Sequence, residues 1–287
     1  MKKILVPTDF SDIAGYAFDF AYQIASSLSA EIELFHVMDI PDSMGYSDLN
    51  VSGTRSGFHD IDDVYVIKLL EVTKKKLKKI VENPKFKDVK ITPKIKAGSA
   101  YKKIYDEIIS QKIDLIVMGT SGVDTWEQSL IGTTAERVVR YAQCPVITMR
   151  QPVKLNKIKN IVYASDFVKF HPNVIQLVQK FADMLKSKIH LVKVNTPSHF
   201  QNDKETLANL KAFGEQQKFK TFDIHVHNHV SEVEGIVQFT EMYKMDMVVM
   251  TTRGRGGFSR ILDGSIAEGV VNYSKVPVLT CRVGKDK

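Results

Sequence analysis

Two cysteines and a single tryptophan in 287 residues leave little material for covalent stapling. Two thiols cannot build the disulfide framework of a small secreted domain, and Cys144 and Cys281 lack metal-type spacing, so a reducing compartment is expected. Each sits beside or within a last apolar run, where a small buried thiol is the usual role. No apolar stretch approaches the roughly 18 residues of a membrane-spanning helix. Pro7, Thr8 and Asp9 end the first apolar run too early for a signal peptide. A cytoplasmic protein with no membrane partner is therefore expected. Enzyme signatures are missing too: there is no Gly-x4-Gly-Lys-Ser/Thr loop, and Gly254-x-Gly256 lacks the third glycine of a dinucleotide fingerprint. No Ser-His-Asp or Cys-His set has a supporting local motif, so no catalytic residue is expected.

Charge is plentiful but locally concentrated. The formal net charge is +7 and the pI near 9.1, with Lys74, Lys75, Lys76, Lys78 and Lys79 on one expected helix. That cluster reads as a solvated helix face, with no specific nucleic-acid partner. His225, His227 and His229 alternate along an expected strand. They could approach a metal, but with Asp223 the only nearby carboxylate a solvated strand face is expected, and no metal site.

What the chain does have is an internal copy. Asp114–Arg150 laid on Asp246–Arg282 at a constant offset of 132 gives 16 identities in 37 positions without a gap. Ile4–Phe10 lies on Ile161–Phe167 at an offset of 157, keeping Ile4/Ile161, Asp9/Asp166 and Phe10/Phe167. A duplication fixes the architecture before any other reading. The change of offset means 25 extra residues in the first half between about Met38 and Gln111, and the polar stretch Pro41–Asp63 reads as an inserted loop. Two domains follow: residues 1–150 with the insertion near 41–63, a short linker at 151–157, and residues 157–284.

Each half alternates β-branched runs with amphipathic segments. In the first half Ile4–Val6, Ile32–Val37, Val89–Ile95, Leu115–Met118 and Val146–Met149 read as strands, and Ala14–Leu28, Val64–Val81, Ala100–Ser110 and Thr134–Tyr141 as helices. The second half repeats the strands at Ile161–Tyr163, Ile189–Val194, Phe222–His227, Met247–Met250 and Val278–Cys281. Apolar strands buried on both faces and separated by helices make an α/β fold. The expectation is two tandem doubly wound five-stranded parallel sheets, order 3-2-1-4-5, flanked by helices.

In such a sheet the switch point lies between strands 1 and 4, and ligands bind at the strands' carboxyl ends there. Strand 1 ends in Pro7-Thr8-Asp9, and strand 4 in Gly119-Thr120-Ser121-Gly122. Nine residues later Gly132 and Thr133 open a helix, with Glu136 suggesting a capping box that Ser265 and Glu268 repeat. Glycines admit an anion to the backbone, and a helix N-terminus attracts phosphate.

The string Gly119-x2-Gly122-x9-Gly132-Thr133 resembles the nucleotide motif of the universal stress protein family, whose ATP-binding members carry Gly-x2-Gly-x9-Gly-Ser/Thr. Residues 4–11 (Ile-Leu-Val-Pro-Thr-Asp-Phe-Ser), Leu34–Val37 and Asp114–Gly119 are similar to the family as well, and the resemblance covers the chain twice. It implies a stress-response protein that binds ATP or a related adenine nucleotide, possible magnesium included, as an effector with little or no turnover. By position, Pro7, Thr8 and Asp9 would meet the ribose or adenine side and the Val37 backbone the adenine. Met118 and Gly119 would flank the sugar, and Gly122, Gly132, Thr133 and Thr134 would hold phosphates. A second site would use Asp166, Val194, Met250, Gly254, Gly264 and Ser265. The resemblance further implies pairing through the last strands, Val146–Arg150 against Val278–Arg282, internally or in a homo-oligomer.

The halves differ from the motif in opposite ways. Thr251 replaces the first glycine of the second half, where a β-branched residue at a left-handed or crowded position is costly. Asp124, Trp126 and Glu127 put acidic charge in the first spacer, whereas Arg253 and Arg255 put positive charge in the second. The first half is the favoured site, and Gly119→Val is expected to block it while sparing the fold. A nucleotide-independent interaction or small apolar-ligand module, lidded by residues 41–63, and a slow ATPase remain the alternatives.

Overall fold

The computed structural model describes residues 1–40, 61–121, 133–168, 171–253 and 263–283. The chain divides into two compact units, Met1–Gly119 and Thr120–Lys287.

In the first unit the strands are β1 (Lys3–Pro7), β2 (Glu31–Met38), β3 (Ile91–Ala97) and β4 (Leu115–Gly119), and the helices α1 (Asp12–Leu28), α2 (Ile61–Val81) and α3 (Ala100–Ser110). The strands are parallel, in the order β3-β2-β1-β4. Parallel pairing needs a crossover after each strand, and the helices supply it. Ile4, Leu5, Val6, Leu34, Leu115, Ile116 and Val117 have no exposed surface, as expected of strands covered on both faces. Pro93 sits within β3, tolerated because an edge strand leaves one side without a ladder. Helix α1 starts where Ser11 caps it, its side chain accepting from Ala14 N at 3.2 Å, and ends at Ser29 in the left-handed region. Helix α2 begins at Ile61, so the last three residues of the expected loop Pro41–Asp63 are its first turn; residues 41–60 lie outside the described residues.

The second unit contains α4 (Thr133–Tyr141), β5 (Val146–Met149), β6 (Asn160–Ala164), α5 (Pro172–Leu185), β7 (Lys188–Asn195), α6 (Asp203–Gln216), β8 (Phe222–Asn228), α7 (Glu232–Met242), β9 (Met247–Arg253), α8 (Asp263–Tyr273) and β10 (Val278–Val283). Its order is β5-β10-β9-β6-β7-β8. Strands β8-β7-β6-β9-β10 are thus the expected 3-2-1-4-5 arrangement, all parallel. Strand β5, fifth of the first repeat, belongs to this unit because it pairs antiparallel with β10.

That pairing carries the symmetry of the duplication. Ile147 faces Leu279, its own counterpart at offset 132, flanked by Val146–Thr280 and Thr148–Val278. Thr148 Oγ1 donates to Val278 O at 3.4 Å, and Thr280 Oγ1 donates to Val146 O at 3.3 Å. A strand meeting its own copy in this way is the self-complementary contact of a two-fold dimer, made here within one chain.

Gly119 is a packing glycine. A Cβ added there would meet Ile13 Cγ2 at 2.7 Å and the Ile13 carbonyl carbon and oxygen at 3.0 Å, so α1 lies hard against the end of β4. Backbone cannot swing aside as a side chain can. The expectation that Gly119→Val would spare the fold is therefore wrong. The left-handed alternative does not apply either: among the described glycines only Gly98 has positive φ, and Thr251 lies in β9 paired with Cys281. In the second repeat α5 starts at Pro172, three positions later than the register of α1 would start it. Gly119→Ala is accordingly expected to destabilise the protein by about 1–3 kcal/mol. Gly15→Ala, with nothing within 4 Å of the new methyl on the exposed side of α1, should stabilise it by about 0.5–1 kcal/mol. Urea unfolding of both variants checks the pair, and equal effects would refute the packing account.

Candidate functional site

The carboxyl ends of β1 and β4 lie side by side. Ile4 pairs with Leu115 and Leu5 with Ile116, and continuing this register brings Pro7 beside Met118 and Thr8 beside Gly119. The chain then turns sharply. Phe10 has φ of 66°, a left-handed conformation rare for a bulky residue, and Phe167 in the second half has φ of 59°. The same two side-chain bonds hold each turn. Phe10 N donates to Thr8 Oγ1 at 3.1 Å and Ser11 N to Asp9 Oδ1 at 2.9 Å; Phe167 N donates to Ser165 Oγ at 3.2 Å and Val168 N to Asp166 Oδ1 at 3.1 Å. Retention of strained backbone in both copies marks it as a feature of the site rather than an accident of one loop.

Asp9 also accepts from Ser11 Oγ at 2.6 Å. Partial burial raises its pKa, but the Ser11 hydrogen bonds and the nearby His36 outweigh that and hold the carboxyl below its ordinary value, so it is an anionic acceptor at neutral pH. His36 is held by local contacts. Its Nδ1 donates to Thr8 O at 2.7 Å, its ring lies 4.6 Å from that of Phe10, and burial depresses its pKa, leaving it neutral. Lys193, its counterpart, also bonds a carbonyl of the turn, but one residue further on: its Nζ donates to Asp166 O at 3.2 Å. Lys76 of α2 lies 5.0 Å over the Phe10 ring, so one lysine of the basic helix face covers this turn.

Backbone polarity completes the described part of the crevice. Thr8 N donates to Phe35 O on one side of β2, and Gly98 N donates to Met38 O on the other, 2.8 and 2.9 Å. Alternation then directs the Val37 peptide groups toward the β1 side, one step past the last β1–β2 pair, Pro7–Phe35. Val194 occupies the same place in the second half, where Ser165 N bonds Val192 O and His229 N bonds Asn195 O. The Met118 and Met250 side chains are buried. Thr120 and Thr252, counterparts that the sequence reading did not single out, are buried hydroxyls with no hydrogen-bond partner among the described residues. Their only sequence signal is identity between the copies.

Thr133 is the first residue of α4, and Thr134 is half-buried in its first turn. Gly264 and Ser265 lie in the first turn of α8, which begins at Asp263. Ser265 is therefore inside the helix rather than at its N-cap position. Glu268 receives Arg140 through both Nε and Nη2, while Arg140 Nη2 also reaches Glu136 Oε1 at 3.3 Å. Arg140 thereby clasps α4 to α8 through Glu268, and both glutamates that the sequence suggests as caps serve one guanidinium. Gly122, Gly132 and Gly254, with Asp124, Trp126, Glu127 and Arg255, lie outside the described residues.

The expectation for the histidines of β8 needs correction. His225 and His227 are half-buried against α7, not solvated, at 5.0 and 5.7 Å from the ring of Phe239. His227 Nε2 bonds Gln238 Oε1 at 3.0 Å, and His225 faces His190 of the neighbouring strand. His190 was beyond the reach of a linear pattern because strand pairing alone brings it there.

Comparison with known proteins agrees with this geometry. The model of the Universal stress protein family matches twice, over residues 1–150 and 157–282. The chain belongs to that family, as a tandem member. It is similar to universal stress protein MJ0531 of Methanocaldococcus jannaschii, 33% identical over 153 residues, 53% of this chain and 84% of that one. It is 25% identical over 296 residues to universal stress protein Slr1230 of Synechocystis, covering 98% of this chain and all of the relative. The crystal structure of a universal stress protein from Archaeoglobus fulgidus superposes with a TM-score of 0.76 at 20% identity, covering 98% of each chain, and shares the fold. No described helix is long and apolar enough to cross a membrane.

Arg140→Met tests the clasp. Glu136 and Glu268 would then face each other with the bridging guanidinium gone, at a cost of about 1–3 kcal/mol near neutral pH. Burial first, then its contact with Glu268, already raises the Glu136 pKa. A raised carboxyl favours the folded state most below the ordinary carboxylate pKa, and that contribution is lost as pH rises through the folded value. The deficit of the variant should therefore shrink on acidification toward the ordinary carboxylate range. A pH-independent deficit in thermal unfolding would show that the carboxylates are not in contact.

Proposed function

We propose that this protein binds ATP or a related adenine nucleotide in the crevice of its first half, as a regulatory ligand of a cytoplasmic stress response, with little or no turnover. The observation that carries the reading is the pairing of two preset polar groups at the carboxyl edge of the sheet. Asp9 is held ionised by Ser11, and the Val37 peptide projects past the end of β1. A carboxylate suits the ribose hydroxyls or the adenine amino group, and a strand-edge peptide suits the adenine ring edge. The phosphates fall to Gly122, Gly132, Thr133 and Thr134, with magnesium compensating Asp124 and Glu127. Asp166, Val194, Met250, Gly254, Gly264 and Ser265 form the second, weaker candidate. Its turn is kept, but its first motif glycine is Thr251 and its α5 starts late.

Mass spectrometry of small molecules released from freshly purified protein should find adenine nucleotide. In calorimetric titration the wild type should bind about one ATP per chain, and Asp9→Ala should lose at least about tenfold in affinity, near 1.4 kcal/mol. Asp166→Ala should leave that site unchanged. ATP binding that survives Asp9→Ala but not Asp166→Ala would move the site to the second half, and no binding by either would favour the nucleotide-independent module.

Turnover is the second test. With no Walker lysine in the sequence, hydrolysis should fall far below the enzyme median of about 10 per second. A magnesium-dependent rate near that median, lost in Asp9→Asn, would reclassify the protein as an ATPase.

A further inference from the structure

At the amino ends of the strands, opposite the nucleotide crevice, the two copies have diverged in chemistry. In the first unit the buried Glu33 on β2 lies 3.0 Å from Lys3 Nζ and 4.0 Å from Lys94 Nζ, and Lys94 also pairs with Glu107 of α3. The place is occupied by its own lysines, which leave Glu33 Oε1 without a hydrogen bond among the described residues. In the second unit, offset 157 puts His190 where Glu33 stands and Asn160 where Lys3 stands. Strand β8 then adds Asp223 opposite His190, and His225 opposite Val192 as Lys94 is opposite Phe35. Both internal lysines and the buried carboxylate are gone, and two imidazoles stand in their place.

We infer that His190, His225 and Asp223 form a binding site for a divalent first-row transition ion of the zinc class, independent of the nucleotide site. Their ligand atoms all lie within 4.8 Å of one another. His190 Nδ1 is 3.1 Å from His225 Nε2 and 3.8 Å from Asp223 Oδ2. Ligands bound tetrahedrally to zinc at about 2.0–2.1 Å are separated by about 3.3–3.4 Å, so those two edges are already near size. Two nitrogens and one carboxylate oxygen on the protein, with a fourth position toward solvent beside the half-exposed Asp223, match an open zinc site.

A hydrogen-bond chain behind His190 presents the correct lone pair. Asp246 Oδ2 accepts from the backbone N–H groups of Lys159 and Asn160, both at 2.8 Å, and from Asn160 Nδ2 at 3.4 Å. The Asn160 amide is thus oriented with Oδ1 toward His190 Nε2, 3.2 Å away. Nε2 must carry the proton to donate there, which leaves Nδ1 unprotonated and facing His225. Metal-binding histidines have this outer partner. Burial lowers the pKa of both imidazoles; with His190 Nδ1 as acceptor, the contact puts a proton on His225 Nε2, and metal binding requires His225 to shift that proton to its Nδ1. Lys188 opposes binding: its Nζ lies 2.7 Å from Asp223 Oδ2 and competes for that oxygen. The ring planes of His190 and His225 are 30° apart, so binding requires a small rotation of His225, whose far side rests on Phe239 and Tyr243.

The test is titration of chelator-treated full-length protein with Zn2+ by calorimetry, and with Co2+ by visible absorption. One equivalent should bind, with the intense ligand-field bands of a tetrahedral N2O site for cobalt. His225→Gln and Asp223→Asn, at the rim and chosen over the buried His190, should each weaken zinc binding at least about tenfold with unchanged circular dichroism. His227→Gln, whose ring bonds Gln238, should leave it intact. Lys188→Met should tighten it, which a merely structural cluster does not predict. No zinc uptake by the wild type overturns the proposal. So does uptake that survives His225→Gln, or loss in His225→Gln with Asp223→Asn silent, since the three ligands must act together.

Discussion

Parallel pairing is the constraint on which the rest of this molecule depends. A parallel strand must be followed by a crossover whose helix covers the sheet face, so within each run of parallel strands the central strands are apolar on both sides and the carboxyl ends point the same way. Polar function is then expelled from the sheet to its two edges. At the carboxyl edge the strands end in peptide groups with no neighbouring strand, and there the first unit has the Asp9 turn and the Val37 peptide, and the second unit the Asp166 turn and the Val194 peptide. Toward the amino ends of the strands the first unit has the Lys3–Glu33–Lys94–Glu107 network, and the second unit, by itself, the histidine cluster at the corresponding register.

Duplication lets each copy serve as a control for the other. What both keep is backbone geometry: the left-handed phenylalanine, the side-chain bonds that hold it, and a cation or imidazole that caps a carbonyl of the turn. What they alter is the helix that follows. Gly119 and α1 go together, because a Cβ at the end of the fourth strand would run into Ile13 of the helix above it, whereas the second copy has Thr251 and an α5 that starts three positions later. The substitution that reads as a damaged nucleotide motif is, in the fold, first of all a change of packing.

The last strands show how a repeat can also become an interface. Ile147 opposite Leu279, with Thr148 and Thr280 exchanging bonds to the opposite backbones, turns an exposed strand edge into a ladder. An unprotected edge is an aggregation hazard, and pairing two edges removes both. The Arg140 clasp on Glu268 joins α4 to α8, while its contact with Glu136 stays within α4, so both glutamates serve one guanidinium.

The sequence by itself determined the duplication, the class of fold, the position of nearly every strand and helix, and the Pro7–Asp9 and Gly119 ends as one crevice. Those features are local or periodic: apolar runs of strand length, helical spacing, turn residues and a constant register, each legible without knowing what lies across the sheet. Tertiary structure alone decided why Gly119 is glycine, where Glu136 and Glu268 direct their carboxylates, and that His225 meets His190 from a neighbouring strand 35 residues away. These are distances between elements, set by which strands pair and where each helix starts, and a linear pattern does not encode them.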